Sequence, residues 1–199
     1  MAIRRCIDRV LEHPLVYAAW QAPQVAQKFA PVERRLACSN VRRVLDVGCG
    51  PGTNAHRFAG VDYVGVDINE HYLSIARAKY KGQFIQADLE TADLSRFGTF
   101  DTILVNSFLH HVADDAVDRI LRQLSRLLTP AGALHSIEVV IPDQPSVATL
   151  MARLDRGRYA RPLNAWRALF EPHFETLAFE PYKVIGGLWV MVYMQGRAR

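Results

Sequence analysis

The sequence predicts an α/β protein in which helices cover both faces of a mostly parallel β-sheet. From residue 41 onward, short apolar segments typical of strands alternate with segments of helical periodicity, as in parallel strands joined by crossover helices. Two further apolar segments near the C-terminus flank Gly186 and Gly187. The chain has 199 residues, of which 50% are hydrophobic, so we expect one domain with a substantial core.

The N-terminal segment, residues 1–40, precedes this alternation and has helical spacing of its apolar residues. Pro14, Pro23 and Pro31 interrupt the pattern, and a proline inside a helix removes a backbone donor. We therefore predict two or three short helices before the sheet begins.

Residues 41–142 carry the regular alternation. The predicted strands are Val44–Val47, Tyr63–Asp67, Gln83–Ala87, Thr102–Asn106 and Ala133–Val140. The predicted helices are Thr53–Ala59, Glu70–Tyr80 and Asp115–Leu128. We expect the side chains of Asn69 and Asp114 to cap the second and third of these helices.

The C-terminal part departs from simple alternation. Residues 143–171 form an insertion with two predicted helical stretches around the segment Arg156–Pro162. Residues 172–199 then contain two predicted strands, Phe174–Val184 and Leu188–Gln195, which we expect to pair as a β-hairpin through Gly186 and Gly187.

The segment Val44–Thr53 combines a buried strand with a glycine-rich turn that leads into a predicted helix. Glycines without Cβ atoms allow a ligand to approach the backbone, and a helix N-terminus offers free N–H groups. A dinucleotide fingerprint would place its third glycine at residue 53, but that residue is a threonine and the glycine comes one position early, at Gly52. No Gly-Lys-Ser/Thr follows, so a phosphate-binding loop is also disfavoured.

The remaining pattern, Asp46-x-Gly48-x-Gly50-x-Gly52, resembles the first motif of the class I S-adenosylmethionine (SAM)-dependent methyltransferases. This resemblance implies a Rossmann-like three-layer sandwich with a seven-stranded, mostly parallel sheet whose last strand is antiparallel. It also implies SAM as the cofactor, with the glycine turn against its methionine and ribose portions. Asp46 would help to place the methionine ammonium, and Cys49 serves as a small residue of the turn.

The ends of the next two strands extend the resemblance. Asp67 follows Asp46 by 21 residues and ends the second strand, where a carboxylate can accept both ribose hydroxyls. Asp88 matches the family position that accepts from the adenine amino group, and the residue after each acid would enclose the ring. The expected cofactor-binding residues are Asp46, Gly48, Cys49, Gly50, Gly52, Asp67, Ile68, Asp88, Leu89 and Asn106.

The end of the fourth strand continues as Leu-His-His at residues 109–111, which resembles the ubiquinone/menaquinone-biosynthesis type of methyltransferase. The chain lacks Asn/Asp-Pro-Pro-Tyr here, so a small-molecule acceptor is favoured over a base amine or a protein glutamine. His110 and His111 are candidate general bases or orienting donors, because a histidine titrates in the useful range. Alternatively, they bind loop backbone groups or the following helix. Glu138 could orient the substrate or point outward.

Substrate recognition is expected in the two flanking segments. By resemblance, residues 1–40 form a helical cap over the cleft, with Tyr17, Trp20 and Lys28 as lining candidates. Arg158, Tyr159 and Arg161 are candidates for holding an anionic acceptor. Basic residues outnumber acidic ones 8 to 3 in residues 1–43 and 8 to 5 in residues 143–199, whereas acidic ones lead 12 to 8 between them. This favours an anionic or lipid-like partner, and no recognition module points to nucleic acid.

Other features narrow the function class. The three cysteines are scattered without metal-ligand spacing, so we expect reduced thiols and no metal. No apolar run reaches the length of a membrane span, which predicts a cytoplasmic protein. The predicted reaction is methyl transfer to a small molecule, with O-methylation preferred over C- or N-methylation. The alternatives are a SAM-binding protein with another reaction or a regulatory role, and an NAD-dependent oxidoreductase. The oligomeric state is open.

Overall fold

The computed structural model of the chain describes residues 26–37, 39–155 and 157–199. Its centre is one seven-stranded sheet with the strand order β3-β2-β1-β4-β5-β7-β6. The strands are β1 (Arg43–Val47), β2 (Asp62–Asp67), β3 (Gln83–Gln86), β4 (Phe100–Asn106), β5 (Leu128–Val139), β6 (Phe174–Val184) and β7 (Trp189–Ala198). Strands β1 to β5 pair in parallel, and β7 is antiparallel to both of its neighbours. This confirms the predicted mixed sheet with a reversed last strand.

Helices cover both faces of the sheet, as predicted. They are α1 (residues 26–36), α2 (Glu70–Lys79), α3 (Asp114–Arg126), α4 (Val147–Leu154) and α5 (Leu163–Phe170). Because side chains alternate along a strand, Leu45 packs into the core with α3 and α5, whereas Val44 packs into the core with α1, α2 and α4. Asn69 caps α2 as expected, since its side chain accepts a hydrogen bond from the N–H of Tyr72 at 3.2 Å.

The segment after the glycine turn is not the predicted α-helix. Residues 51–54 form turns, and only Ala55–Phe58 is helical, with the tighter 3₁₀ geometry. Its hydrogen bonds join residues three apart: the N–H of Ala55 donates to the carbonyl of Gly52, and the N–H of Arg57 donates to the carbonyl of Asn54. Gly60, at φ +83°, then turns the chain into β2.

Three other details differ from the prediction. Leu128 begins β5 instead of ending α3, because it pairs with Phe100 of β4. Ala113, not Asp114, is the residue before α3, and the carboxylate of Asp114 binds Arg161 instead of capping the helix. Pro31 lies within α1, whose residues Phe29 and Val32 are fully buried. Tertiary burial therefore outweighs the missing backbone donor.

Candidate active site

The three glycines of the turn after β1 all have left-handed backbone conformations, with φ of +68° at Gly48, +54° at Gly50 and +74° at Gly52. A Cβ on Gly48 would lie 2.7 Å from the ring of Phe108, and one on Gly52 would lie 3.0 Å from Tyr80. A Cβ on Gly50 would meet nothing within 4 Å. Gly48 and Gly52 thus let Phe108 and Tyr80 pack closely against the backbone, whereas no described residue packs against Gly50.

Asp67, at the end of β2, supports this turn. Its Oδ2 accepts the N–H of Gly50 and its Oδ1 accepts the N–H of Asn69, each at 2.8 Å. A carboxylate has about four lone-pair positions, so both oxygens retain accepting capacity. Asp67 is therefore fixed in position with part of its carboxylate still available.

Asp46 begins a buried chain of polar side chains between β1 and β4. Its Oδ2 accepts from the hydroxyl of Tyr63 and, at 3.3 Å, from the amide of Asn54, whose own oxygen accepts from Asn106 at 3.3 Å. Within the described part of the chain, Oδ1 of Asp46 and Oδ1 of Asn106 are buried without a hydrogen-bond partner. Burial raises the pKa of Asp46 to about 7, although the hydrogen bonds from Tyr63 and Asn54 lower it.

Tyr63 and Asn54 are partners that the sequence analysis did not identify. Asn54 directly follows the glycine turn, so its position was a usable signal, but Tyr63 resembles any buried strand residue. Cys49, in contrast, packs as expected of a small residue of the turn. Its thiol is buried, burial raises the pKa of this thiol, and a Cβ on Gly65 would meet its Sγ at 2.8 Å.

Residues at the ends of β2 and β3 lie at the same edge of the sheet. Ile68 is 62% exposed, and its carbonyl accepts a hydrogen bond from the side chain of Gln86 at 3.0 Å. Asp88 is exposed, and its carboxylate accepts the N–H of Glu90. Leu89 is buried in the core, so Ile68 presents the larger free apolar surface here.

His110 lies between two carboxylates beyond the end of β4. Its Nδ1 is 2.7 Å from Oε2 of Glu138, and its Nε2 is 3.1 Å from Oδ2 of Asp155. Burial disfavours the imidazolium, but the hydrogen bonds and charges of Asp155 and Glu138 raise the pKa of His110 to about 9. Since both ring nitrogens are engaged, His110 is poorly suited to accept a proton from a substrate, contrary to the general-base interpretation.

Glu138, on β5, points inward and is fully buried, so the outward alternative is wrong. Besides His110, its carboxylate accepts the backbone N–H groups of Phe108 and Leu109 at 3.2 and 2.9 Å. It therefore organises the loop after β4 and does not face a substrate directly. Ser107, at the start of this loop, has a left-handed φ of +57°, which is unusual for a residue with a side chain.

His111 follows His110 but lies exposed. The centroids of the two rings are 4.3 Å apart. Burial raises the pKa of the neighbouring Asp155, but the hydrogen bond and charge of His110, with a smaller contribution from His111, lower it to about 2. Of the two histidines, only His111 combines exposure with a place beside the end of β4.

Arg161 is a structural residue and does not face an acceptor, contrary to expectation. Its guanidinium is buried, binds the carboxylate of Asp114 at 2.6 and 2.8 Å, and donates to the carbonyls of Leu109, Val112 and Tyr159. Arg158 and Tyr159 are exposed, as substrate-facing residues would be. A cavity of about 210 Å³ is lined by Ile141, Ala152, Arg153, Gly157, Arg158 and Ala160.

Lys28, on α1, is a further buried charged residue. It is 8% exposed, and burial lowers its pKa to about 8, although the charges of Glu138 and Asp155 raise it. Tyr17 and Trp20 lie outside the described residues. Across the described ranges, no group of three or more His, Cys, Asp or Glu side chains could hold a metal ion, and no helix is long and apolar enough to cross a membrane.

Comparison with known proteins gives a family match over the strands that carry these residues. Residues 44–132 match the family described as "Methyltransferase domain". An uncharacterized methyltransferase of Mycobacterium tuberculosis is 38% identical over 104 residues, which cover 50% of this chain and 51% of that protein. A ubiquinone biosynthesis O-methyltransferase of Bordetella avium is 34% identical over 98 residues, covering 46% of this chain and 41% of the relative.

The chain thus spans about half the length, or less, of these curated relatives. Among solved structures, a protein of Methanosarcina mazei described as a SAM-dependent methyltransferase superimposes with a TM-score of 0.68 at 18% identity. That superposition covers 84% of this chain and 97% of the other. At this identity the similarity establishes the fold.

Proposed function

We propose that this chain binds SAM and transfers its methyl group to a small-molecule acceptor, because residues 44–132 match a methyltransferase-domain family and the fold is that of a SAM-dependent methyltransferase. The observation that carries the proposal is a pair of buried oxygens, on Asp46 and Asn106, that have no hydrogen-bond partner among the described residues, beside a glycine turn in which no described atom comes near a Cβ on Gly50. Buried acceptors normally have a donor, so these two oxygens suit a ligand that brings one.

The residues at the strand ends fit the chemical groups of SAM in order. The cofactor's ammonium is a charged donor, which matches the free oxygens of Asp46 and Asn106. The remaining lone pairs of Asp67 match two ribose hydroxyls. The exposed apolar surface of Ile68 and the carboxylate of Asp88 match the adenine ring and its amino group. The turn formed by Gly48, Cys49, Gly50 and Gly52 would lie beneath the cofactor, and Leu89 would support the adenine from the core.

Bound SAM supplies a methyl group on a positively charged sulfur, which is already activated for in-line displacement. The protein must therefore align the acceptor and, where the acceptor is a hydroxyl, remove its proton. We assign proton removal to His111, because it is exposed beside the end of β4, whereas His110 is buried. A histidine base favours methylation of a hydroxyl or an acidic carbon over N-methylation, since a neutral amine needs no base before it attacks.

The acceptor is proposed to carry an anionic group next to an apolar portion. The cavity near His110 combines two arginines, Arg153 and Arg158, with the apolar side chains of Ile141, Ala152 and Ala160. Tyr159 lies exposed beside it. A guanidinium pairs well with carboxylate or phosphate, so this mixture supports an acidic small molecule or a lipid-like acid as the acceptor.

The proposal is tested by calorimetric titration with S-adenosylhomocysteine, the product form of the cofactor. We expect Asp67→Ala to weaken binding about 100-fold, or about 3 kcal/mol, because an ionic acceptor is lost. Asp62→Ala is the matched control: Asp62 lies on the same strand at its opposite end, where it pairs with Arg43, and its loss should leave the affinity unchanged.

Absence of binding by the unaltered protein, or equal loss in both variants, would contradict the proposed cofactor site. If binding is established, labelled SAM and a panel of acidic and neutral phenols test transfer, and His111→Gln should then lower kcat at least tenfold. Tight binding without transfer to any acceptor would favour a SAM-binding protein with another reaction or a regulatory role.

A further inference from the structure

Four charged side chains from distant parts of the sequence meet in one buried cluster. His110 follows β4 and contacts Glu138 on β5 and Asp155 after α4, while burial lowers the pKa of Lys28 on α1 and the charges of both carboxylates raise it. Glu138 is fully buried, and the side chain of His110 is 4% exposed. We call these four residues the buried charge cluster.

Such a cluster persists only because its charges compensate one another. Two carboxylates accompany one imidazolium and one ammonium, and removal of one member leaves an uncompensated charge in a largely buried setting, which is strongly destabilising. The cluster therefore fixes the relative positions of the elements that carry its members. Those elements include α1 and the insertion after β5, the two segments in which acceptor recognition is expected.

The chain after Asp155 lies directly on the loop that holds His110. Tyr159 donates its N–H to the carbonyl of His110 at 2.9 Å, and Gly157 donates to Asp155 at 3.0 Å. A Cβ on Gly157 would lie 1.9 Å from Cδ2 of His110, so this residue has room for no side chain. We call residues 157–161, which include the exposed Arg158 and Tyr159, the acceptor segment.

We propose that Glu138, His110 and Asp155, with Lys28, are positioning residues that hold the acceptor segment against the loop after β4. This inference rests on the proposed function, because it assigns the cluster to the acceptor side of the methyltransferase site. Glu138 fixes the loop because it accepts the N–H groups of Phe108 and Leu109. His110, on the same loop, binds Asp155, and Asp155 in turn accepts the N–H of Gly157. None of the four is required to contact the cofactor.

The central experiment measures hydrogen exchange at the amide of Tyr159 in Asp155→Asn, which removes the charge and keeps the size. We expect the protection of this amide to fall at least tenfold, while amides of β4 keep theirs. Asp143→Asn is the matched control, because Asp143 is an exposed aspartate of the same insertion and should change nothing. Lys28→Met tests the cluster from α1 and should also reduce protection of Tyr159.

The titration of His110 is the second readout, because it reports whether the contact between His110 and Asp155 exists in solution. Followed by NMR of the ring, the His110 midpoint should lie near pH 9 and fall by at least one pH unit in Asp155→Asn. The charged groups that face this ring are Lys28 from α1, Glu138 from β5, Asp155 after α4 and the adjacent His111. Unchanged Tyr159 protection together with an unchanged midpoint would overturn the inference.

Binding of S-adenosylhomocysteine to the same variants separates this inference from the proposed function. The affinity should stay within about twofold in Asp155→Asn, since Asp67 and Asp46 lie elsewhere. If the unaltered protein does not bind the ligand, the proposed function fails whatever the exchange data show. If affinity falls as much as protection does, the cluster belongs to the cofactor site and the assignment to the acceptor side is wrong.

Discussion

The cofactor half of the site, residues 44–106, and the acceptor half, residues 107–161 with Lys28, use polar groups in opposite ways. In the cofactor half, Asp46 and Asn106 keep unpartnered oxygens, Gly50 opens on free space, and Ile68 is exposed. In the acceptor half, His110, Glu138 and Arg161 are buried and bind other parts of the protein.

This difference separates residues that await a ligand from residues that build the site. An unpartnered buried acceptor is costly unless a ligand completes it, whereas a saturated charge network is complete without one. His110 and Glu138 are residue types suited to acid–base chemistry, but here they hold other parts of the protein in place. The proposed function therefore assigns the chemistry of the acceptor half to its exposed residues His111, Arg158 and Tyr159.

The largest expected effect lies at the junction of the two halves, where Gly48 meets Phe108. Gly48→Ala must accommodate both the left-handed φ and a Cβ that lies 2.7 Å from the Phe108 ring. We expect the free energy of unfolding, measured in urea, to fall by about 3 kcal/mol.

Gly60→Ala is the control for this prediction, because Gly60 also has a left-handed φ, of +83°, but its Cβ would meet nothing within 4 Å. It should cost about 1 kcal/mol, the conformational part alone. Equal losses in the two variants would show that contact between the halves adds nothing.

A smaller effect concerns the pH dependence of stability in the acceptor half. The folded pKa of His110, about 9, lies above its usual 6.5, so the folded state binds this proton more tightly. The resulting stability is complete below pH 6.5 and is lost as the pH rises through 9. Between pH 6.5 and 8 this residue should lower the free energy of unfolding by about 1.5 kcal/mol, and His110→Gln should make the total decline smaller by that amount, leaving the part due to Asp46, whose pKa is raised to about 7.

The window ends at pH 8 because Lys28, whose pKa is lowered to about 8, contributes a slope of opposite sign above it. His135→Gln is the matched control, since burial lowers the pKa of His135 to about 4 and keeps it neutral throughout the window. It should retain the decline of the unaltered protein. A decline in His110→Gln as large as that of the unaltered protein would assign the effect to another group.

The smallest expected effect compares two exposed apolar side chains. Ile68→Ala in the cofactor half should weaken S-adenosylhomocysteine binding about fivefold, or about 1 kcal/mol, and leave the free energy of unfolding nearly unchanged. Leu154→Ala, in the acceptor half at 67% exposure against 62% for Ile68, should leave that affinity unchanged. Similar calorimetric losses in both would contradict the division of the site.

Most of the sheet was predictable because strand alternation and glycine positions are local. Each predicted strand overlaps an observed one, and β6 and β7 form the expected antiparallel hairpin, joined through Gly186 and Gly187. The predicted helix Thr53–Ala59 failed because Gly52 and Gly60, both at positive φ, leave room only for a 3₁₀ turn. The sequence shows that a glycine marks a turn, but the geometry of that turn depends on the residues that pack against it.

The sequence by itself predicted Asp46, Gly50 and Asp67 of the proposed cofactor half, since their spacing along strands and one turn identifies them. Only the tertiary structure decided the roles in the acceptor half. His110 binds a carboxylate 28 residues away, and Arg161 binds one 47 residues away. Whether a histidine is a free base or a buried cation depends on such partners and on burial, and both are set by how distant segments pack, which local spacing does not encode.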